Sequence, residues 1–250
     1  MKHQNGNDIN KDMKRSLINQ LNQLSEQLKG YVAALNYRYL NLCVKAEEVS
    51  LLPVQVVIEG EVKNLEDVAY AGKKGGDDYS LFIVPKYEED LQPISEAVMH
   101  FHPEFIQKVE KETVDPGDGS GSQEIPLLKL TVPEVNDDRY DVLKQAAKTF
   151  YDMCKADMEA AGIEMESQLA VLGLEEKPED MDNLKKAIDE VSDIWKKKRD
   201  ELYDEKLKEI EEGHDKWKAE QAGKMEKEQK AANENRVATS MRLTPDNDEQ

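Results

Sequence analysis

Residues 50–60 read SLLPVQVVIEG, and at Pro53 within this segment the sequence changes character. No proline precedes Pro53, and seven of the nine prolines lie between Pro53 and Pro133. Seven of the thirteen glycines fall in the same stretch. Because proline interrupts the interior of a helix, the chain on either side can form long helices, whereas the middle cannot.

Both flanks carry apolar residues at helical spacing. We expect helices over residues 8–49, with Asp8 as the N-cap, over 137–172 and over 178–212. Each has one apolar stripe of the bundle or coiled-coil type, so the three must pack together. The sequence therefore predicts a three-helix bundle made of residues 1–49 and 135–212. The stripes comprise Leu17, Leu21, Leu24, Leu28, Tyr31, Leu35 and Leu42, then Leu143, Ala147, Phe150, Cys154, Met158, Ala161, Met165 and Leu169, and finally Leu184, Ile188, Val191, Trp195, Leu202 and Ile210.

The middle of the chain has the pattern of strands. The runs PVQVVIEGEV, YSLFIVP and IPLLKLTVP are apolar and rich in β-branched residues, and ISEAVMHF is typical of a short helix. We therefore expect an α+β fold, with a small, β-rich α/β domain over residues 53–130 inserted after the first helix. Residues 213–250 are polar, and we expect a weak helix extension followed by a disordered tail.

Two linkers, residues 47–53 and 130–136, join the predicted domains. The hinge residues within them are Glu47, Pro53, Leu130, Pro133 and Asn136. Two chain crossings of this kind favour a small contact surface, so we expect the angle between the domains to vary.

The composition excludes several classes of protein. There are 34 basic and 53 acidic residues, and the formal net charge of −19 argues against broad binding to nucleic acid or anionic membranes, although a local basic patch could still bind.

No apolar run approaches the about 18–20 residues of a transmembrane helix. The opening MKHQNGNDINKD lacks the apolar core of a secretory signal. Cys43 and Cys154 lie outside any metal-binding or disulfide spacing, which predicts buried thiols in a reducing compartment.

Candidate chemical sites are few. His100, His102 and Glu104 in the run HFHPE could offer two imidazoles and a carboxylate to a metal, but Pro103 and the preceding helical pattern indicate a helix end instead. The run DPGDGSGS (115–122) has no lysine to hold phosphate and is typical of a flexible loop, and KKGGDD (73–78) is typical of a hairpin turn. No Ser/His/Asp or Cys/His set must converge. We therefore expect no metal, no cofactor and no enzyme activity.

The order of elements, one long helix, an inserted β-rich domain and two long helices, resembles ribosome recycling factor. Local segments match as well: DINKD (8–12), SLLPVQVVIEG (50–60), YSLFIVPKYEEDLQPISEAV (79–98), EIPLLKLTVPEVNDDRYDVLK (124–144) and the final helix over 176–210. The resemblance extends over about residues 8–212. It implies a translation factor that binds the rRNA of the large ribosomal subunit through its bundle. It also implies a partner GTPase of the elongation factor G type, a small domain that swings about the linkers, and no membrane or small-molecule substrate.

The family's rRNA-binding arginines are largely missing. An arginine–glycine–arginine motif near the end of helix one corresponds here to CVKAEEVS (43–50), where Lys45 is the only cation. A second arginine cluster falls at Lys155, Glu159, Gly162 and Ile163, so one cation is kept as lysine and one position has reversed its charge. Each lost phosphate contact weakens binding to RNA. Helix one is also about 11 residues longer than in the family, close to three turns.

The cations that remain define a candidate rRNA-binding set, Lys45, Arg139, Lys144, Lys148 and Lys155. Spacings of four and seven residues place the last three along one face of a helix, offset from the core stripe and expected to be exposed. The basic run 196–199 is a further candidate patch. An ordinary solvated face would have the same pattern.

Two functions therefore stay open. One is recycling of ribosomal subunits after termination. The other is a scaffold, structural or ribosome-assembly protein that uses this fold for protein contacts, which the acidic bundle and the longer first helix favour. A plain coiled-coil adaptor is a third possibility. A recycling factor without its arginines fits best in an organelle whose ribosome has changed its RNA, so we expect a mitochondrial location, with the plastid and the bacterial cytoplasm as alternatives.

Overall fold

The structure, a computed structural model, describes residues 5–73, 77–114, 121–172 and 178–242. Three long helices surround an apolar core, and a small sheet-containing domain is inserted after the first of them, which confirms the predicted α+β fold. Short 3-10 turns occupy Glu48–Leu51 and Glu88–Asp90. In chain order the elements are α1 (Asn5–Leu40), β1 (Gln55–Ile58), β2 (Glu61–Asn64), α2 (Leu65–Val68), β3 (Ala69–Gly72), β4 (Ser80–Pro85), α3 (Leu91–Phe101), β5 (Ile106–Val114), β6 (Gln123–Thr131), α4 (Asp137–Leu172) and α5 (Pro178–Arg242).

The bundle core is built from the predicted stripes. In α1 the buried stripe passes through Val32 and Tyr39, whereas the predicted Leu21 and Tyr31 are only half-buried. Leu42, which follows the end of α1, is half-buried as well. The side chains of Leu17 and Leu184 lie outside the described part of the chain. The predicted residues that are fully buried are Leu24, Leu28 and Leu35 of α1, Leu143, Ala147, Cys154, Met158, Ala161, Met165 and Leu169 of α4, and Ile188 and Ile210 of α5.

Hydrogen bonds between helices accompany the apolar packing of the bundle, and two of them join α1 to its neighbours. The buried Tyr39 hydroxyl of α1 donates to the carbonyl oxygen of Ala147 in α4, over 3.0 Å. Burial raises the pKa of Tyr39, so the hydroxyl keeps its proton and stays a donor. Trp195 of α5 donates its indole Nε1–H to Ser25 Oγ of α1, over 3.2 Å. Each bond satisfies a polar group that burial would otherwise penalise.

The first helix ends earlier than the sequence predicts. We expected it to continue to residue 49, but α1 ends at Leu40. Val44 is buried in the bundle core, while Cys43 and Ala46 are buried in the core of the inserted domain. An extended chain can serve two cores on opposite sides, whereas a helix presents one stripe. The amide of Ala46 donates to Asp78 O, over 2.9 Å, instead of to a carbonyl within a helix. At its start α1 includes Asp8, so Asp8 is not the N-cap.

The third helix is much longer than predicted. Beyond residue 212 we expected a weak helix extension and then a disordered tail, but α5 continues without a break to Arg242. No proline lies between Pro178 and Pro245, and the segment is rich in Ala, Lys, Glu and Gln, which favour helix even without an apolar stripe. Glu226 and Lys230 add an i,i+4 ion pair of 3.2 Å. Residues 243–250 lie outside the described residues.

The inserted domain contains two antiparallel sheets. Strands β1 and β2 form a hairpin with a two-residue turn at Glu59 and Gly60, which both have positive φ, as a tight hairpin turn requires. The larger sheet has the order β3-β4-β6-β5, and α3 packs against β1 and β6. The core between them is buried and apolar, and it includes Leu81, Ile83, Ile94, Val98, Leu128 and Leu130.

Two predicted loops lie partly outside the residues that the structure describes. Residues 74–76 of the KKGGDD run and 115–120 of the glycine-rich run are not described. The strands on either side of each, β3 with β4 and β5 with β6, do pair antiparallel. Within the described chain, no helix combines the length and the apolar character needed to cross a bilayer.

Candidate functional site

The junction between the two domains consists of residues 41–54 and 132–136, the two segments that join the bundle to the inserted domain. Arg139, in the first turn of α4, connects them: its Nη1 donates to Pro133 O in the second segment and its Nη2 to Cys43 O in the first. Asn136 caps α4, because its Oδ1 accepts the amide of Arg139 over 2.9 Å. The predicted rRNA ligand Arg139 therefore uses its guanidinium to hold backbone carbonyls within the molecule.

Helix α5 packs directly on this junction. A Cβ at Gly213 would lie 2.7 Å from Val44 Cγ1 and 3.1 Å from Val135 Cγ2, so only glycine lets the helix approach so closely. One residue later, the buried His214 places Nε2 2.8 Å from Asp137 Oδ1 at the start of α4. Further along, Lys216 Nζ lies 3.8 Å from Asp78 Oδ2 of the inserted domain. The same helix thus contacts both domains and both connecting segments.

The predicted hinge residues lie in very different surroundings. Leu130 is fully buried within β6, and Pro133 gives its carbonyl to Arg139. Glu47 is exposed, and its carbonyl oxygen accepts from the Ser50 hydroxyl over 2.7 Å. Pro53 is half-buried. Variation of the angle between the domains stays a prediction.

Three predicted cations do lie along one face of α4. Lys148 and Lys155 are about half-exposed at their side chains, at 56% and 50%, and Lys144 is half-buried against Tyr140. Each of the first two has an acidic neighbour one turn later: Lys148 Nζ lies 2.6 Å from Asp152 Oδ2, and Lys155 Nζ lies 3.9 Å from Glu159 Oε1. The face is therefore accessible but locally close to neutral.

The positions of the family's second arginine cluster line a cleft between α4 and α5. This cleft has a volume of about 380 Å³, and Lys155, Glu159, Gly162 and Ile163 form its α4 wall. Two cations of the run 196–199 reach it from α5, and acidic residues lie among them. The α5 wall and the acidic lining include Lys196, Arg199, Asp189 and Glu166. Sequence reasoning treated the run 196–199 separately, because nothing in the sequence shows that α5 faces Lys155.

Two other candidates lie apart from this cleft. Lys45 is half-buried and lines a separate pocket of about 150 Å³ at the end of α1, beside Lys206 and Glu209. In the HFHPE run, α3 ends at Phe101, as predicted. His100 is exposed whereas His102 is buried, so the two imidazoles do not converge.

Comparisons with known proteins support the fold and no more. No protein-family model matches the chain, and no curated protein sequence matches it. Among solved structures, the chain is similar to one described as the solution structure of the ribosome recycling factor, with a TM-score of 0.60 and 12% sequence identity. The match covers 78% of this chain and 97% of that one. The chain therefore has a fold like that of ribosome recycling factor.

Proposed function

We propose that this chain is a ribosome-binding factor of the recycling type, which performs no covalent chemistry and acts with a translocase GTPase. The observation that carries the proposal is the extent of the shared fold, since nearly all of the solved recycling factor has a counterpart here, in both the bundle and the inserted domain. A mitochondrial location remains part of this proposal.

We place the contact with rRNA at the α4–α5 cleft and the adjacent lysine face. Lys196, which is exposed on the α5 wall, partly makes up for the positive charge that the α4 wall lacks at Glu159 and Gly162. Arg199 is buried, and its guanidinium donates to Asp200 Oδ1 over 2.7 Å, so it is not counted as a phosphate ligand. The acidic partners of Lys148 and Lys155 are themselves exposed, and exposed i,i+4 pairs contribute only about 0.3–0.5 kcal/mol. A phosphate can therefore displace the carboxylates at little cost.

A charge reversal on this face tests the proposal. In Lys148→Glu/Lys155→Glu, two phosphate contacts become repulsive, so we expect affinity for large ribosomal subunits to fall at least about tenfold and the salt dependence to become shallower. Sedimentation of the protein with purified large subunits across a KCl series measures both quantities.

The matched control is Lys208→Glu/Lys230→Glu, which makes the same change in net charge on α5, outside the run 196–199. Both lysines are exposed and have acidic partners four residues away, at 3.8 Å and 3.2 Å, like the tested pair. The control should bind as the unaltered protein does. Equal binding by both double variants would show that the α4 face does not contact RNA.

One observation favours the alternative, a scaffold that uses this fold for protein contacts. The cations of the cleft are interleaved with Glu159, Glu166 and Asp189, and the chain carries a net charge of −19. Such a surface suits a mixed or basic protein partner better than a phosphate backbone. Binding to intact large subunits but not to protein-free rRNA, with little salt dependence, would favour the scaffold.

A further inference from the structure

Three side chains with metal-binding atoms converge beside the junction. Cys43 follows the end of α1, His102 directly follows α3, and Glu104 lies in the loop before β5. Their Sγ, imidazole nitrogen and carboxylate oxygen all lie within 4.8 Å of one another. Cys43 and His102 are buried, at 5% and 2% exposure, and the Glu104 side chain is 34% exposed. The cluster is thus enclosed on the thiol and imidazole side and reachable from solvent through the carboxylate.

The imidazole of His102 is oriented as a metal ligand would be. Its Nε2 lies 2.9 Å from the carbonyl oxygen of Ser50, which can only accept a hydrogen bond, so Nε2 carries a proton. Metal-binding histidines in proteins are usually held in this way, with one ring nitrogen donating to a backbone carbonyl and the other free to coordinate. In His102 the other nitrogen, Nδ1, points at Glu104 Oε1 over 3.2 Å.

Because Nδ1 and the carboxylate both present lone pairs, either a second proton or a metal ion has to lie between them. For zinc, with bonds of about 2.0–2.1 Å to nitrogen and oxygen, two ligands of a tetrahedron are about 3.3 Å apart. The observed separation of 3.2 Å, which is that of a hydrogen-bonded pair, is also close to this value. In such a tetrahedron the thiol sulfur lies about 3.6 Å from the nitrogen and from the oxygen. In the structure the three ligand atoms are at most 4.8 Å apart, so the sulfur has to move by only about 1 Å to bind the ion.

The charges of the cluster also suit a divalent ion. Arg139, whose guanidinium is bonded to Cys43 O, disfavours any net gain of positive charge nearby. A divalent ion that replaces one proton at the Cys43 thiol and one at the His102 ring leaves the total charge unchanged. Sulfur, nitrogen and carboxylate ligands together favour zinc over magnesium or calcium, which take oxygen ligands.

We propose that Cys43, His102 and Glu104 bind one Zn²⁺ ion, with water as the fourth ligand. The ion connects the segment that leaves the bundle to the end of α3 in the inserted domain, and so fixes the first connection between the domains. Spacing along the sequence predicts no metal here, because Cys43 is far from His102 and the other histidine of the HFHPE run, His100, is exposed and does not converge with it.

The test uses the isolated full chain, without ribosomes. After dialysis against a chelator, the protein is titrated with Zn²⁺ against a chromophoric competitor, and with Co²⁺ to follow the thiolate-to-cobalt charge-transfer band. We expect one ion per chain and a charge-transfer band. Cys43→Ala should lose the band and at least 100-fold in affinity, and His102→Gln should lose at least tenfold.

The chain supplies matched controls for both ligands. Cys154→Ala removes the other buried thiol, and His100→Gln alters the exposed histidine two residues away, and both variants should bind zinc as the unaltered chain does. Far-ultraviolet circular dichroism of each variant shows whether it is folded, and Cys43→Ala replaces one small buried side chain with another. Absence of stoichiometric zinc in the folded chain, or unchanged affinity in folded Cys43→Ala, would overturn the proposal.

Discussion

The middle of the bundle and the junction are both buried, but different forces hold them. In the bundle, apolar side chains from three helices meet at regular spacing, and polar bonds such as Tyr39 to Ala147 O are few among the buried residues described. At the junction, Arg139 donates to Cys43 O and His102 donates to Ser50 O, and both carbonyls belong to a segment distant in sequence. The core is stabilised by removing apolar area from water, whereas the junction depends on every buried polar group having a partner.

The difference matters for how each region responds to change. In a bundle core, shortening a side chain lowers the free energy of unfolding by an amount that rises with the volume of the cavity left behind. A polar junction loses stability abruptly when one partner goes, because the other is left buried and unsatisfied. Single substitutions in the bundle core and at the junction should therefore distinguish the cost of a cavity from the cost of an unsatisfied buried polar group.

The largest effect is expected in the bundle, for Leu35→Ala. Leu35 is 0% exposed, and the lost contacts and the cavity together should reduce the free energy of unfolding by about 3–4 kcal/mol. Urea unfolding followed by circular dichroism measures it. Ile163→Ala on the surface of α4, where Ile163 is 65% exposed, should change it by less than about 0.5 kcal/mol. A loss below about 1 kcal/mol for Leu35→Ala would mean that the core does not pack as described.

The next effect is expected at the junction, for Arg139→Met. Methionine keeps the length of the side chain but leaves Pro133 O and Cys43 O without their donor, at a cost of about 2–3 kcal/mol. The same denaturation experiment measures it, with Lys148→Met as the control on the same helix. Lys148 has only an exposed ionic partner, so its loss should be about 0.5 kcal/mol or less. Equal effects of the two substitutions would contradict a structural role for Arg139.

The smallest effect is expected for two glycines of α5, and its sign should differ between them. Gly223→Ala meets no described atom within 4 Å and should stabilise the helix by about 0.5–1 kcal/mol. Gly213→Ala gains the same helix propensity but forces a methyl group to within 2.7 Å of buried Val44, so a net loss of about 1 kcal/mol should follow. Thermal unfolding of the two variants side by side measures the difference. Stabilisation by both would show that α5 does not pack closely on the junction.

The sequence is informative where one apolar stripe decides the structure. The spacing from Leu143 to Leu169 predicts a helix over residues 137–172, and α4 has those bounds. The same reasoning extends α1 too far, because Cys43, Val44 and Ala46 are apolar for a different reason: they fill two cores. It ends α5 too early, because a solvated helix has no stripe to detect.

Among the candidate sites, those formed within one helix can be predicted from the sequence, whereas those formed between elements cannot. Spacing along one helix correctly places Lys148 and Lys155 on an exposed face. Contacts between elements leave no local pattern, so neither the approach of Lys196 to Lys155 nor that of Cys43 to His102 can be predicted from spacing. The signal that does exist for the second is weak: a histidine and a glutamate two residues apart at a helix end, and a cysteine just after another helix.

The length of α5 has a mechanical consequence. From Gly213, where the helix is held against the junction, to Arg242 it extends about 44 Å at a rise of 1.5 Å per residue. A tilt of about 10° at Gly213 moves the far end by about 8 Å on a rod of that length. Because the close contacts at Gly213 lie at the boundary between the two domains, a small change in the angle of α5 there produces a large displacement of its C-terminal end at Arg242.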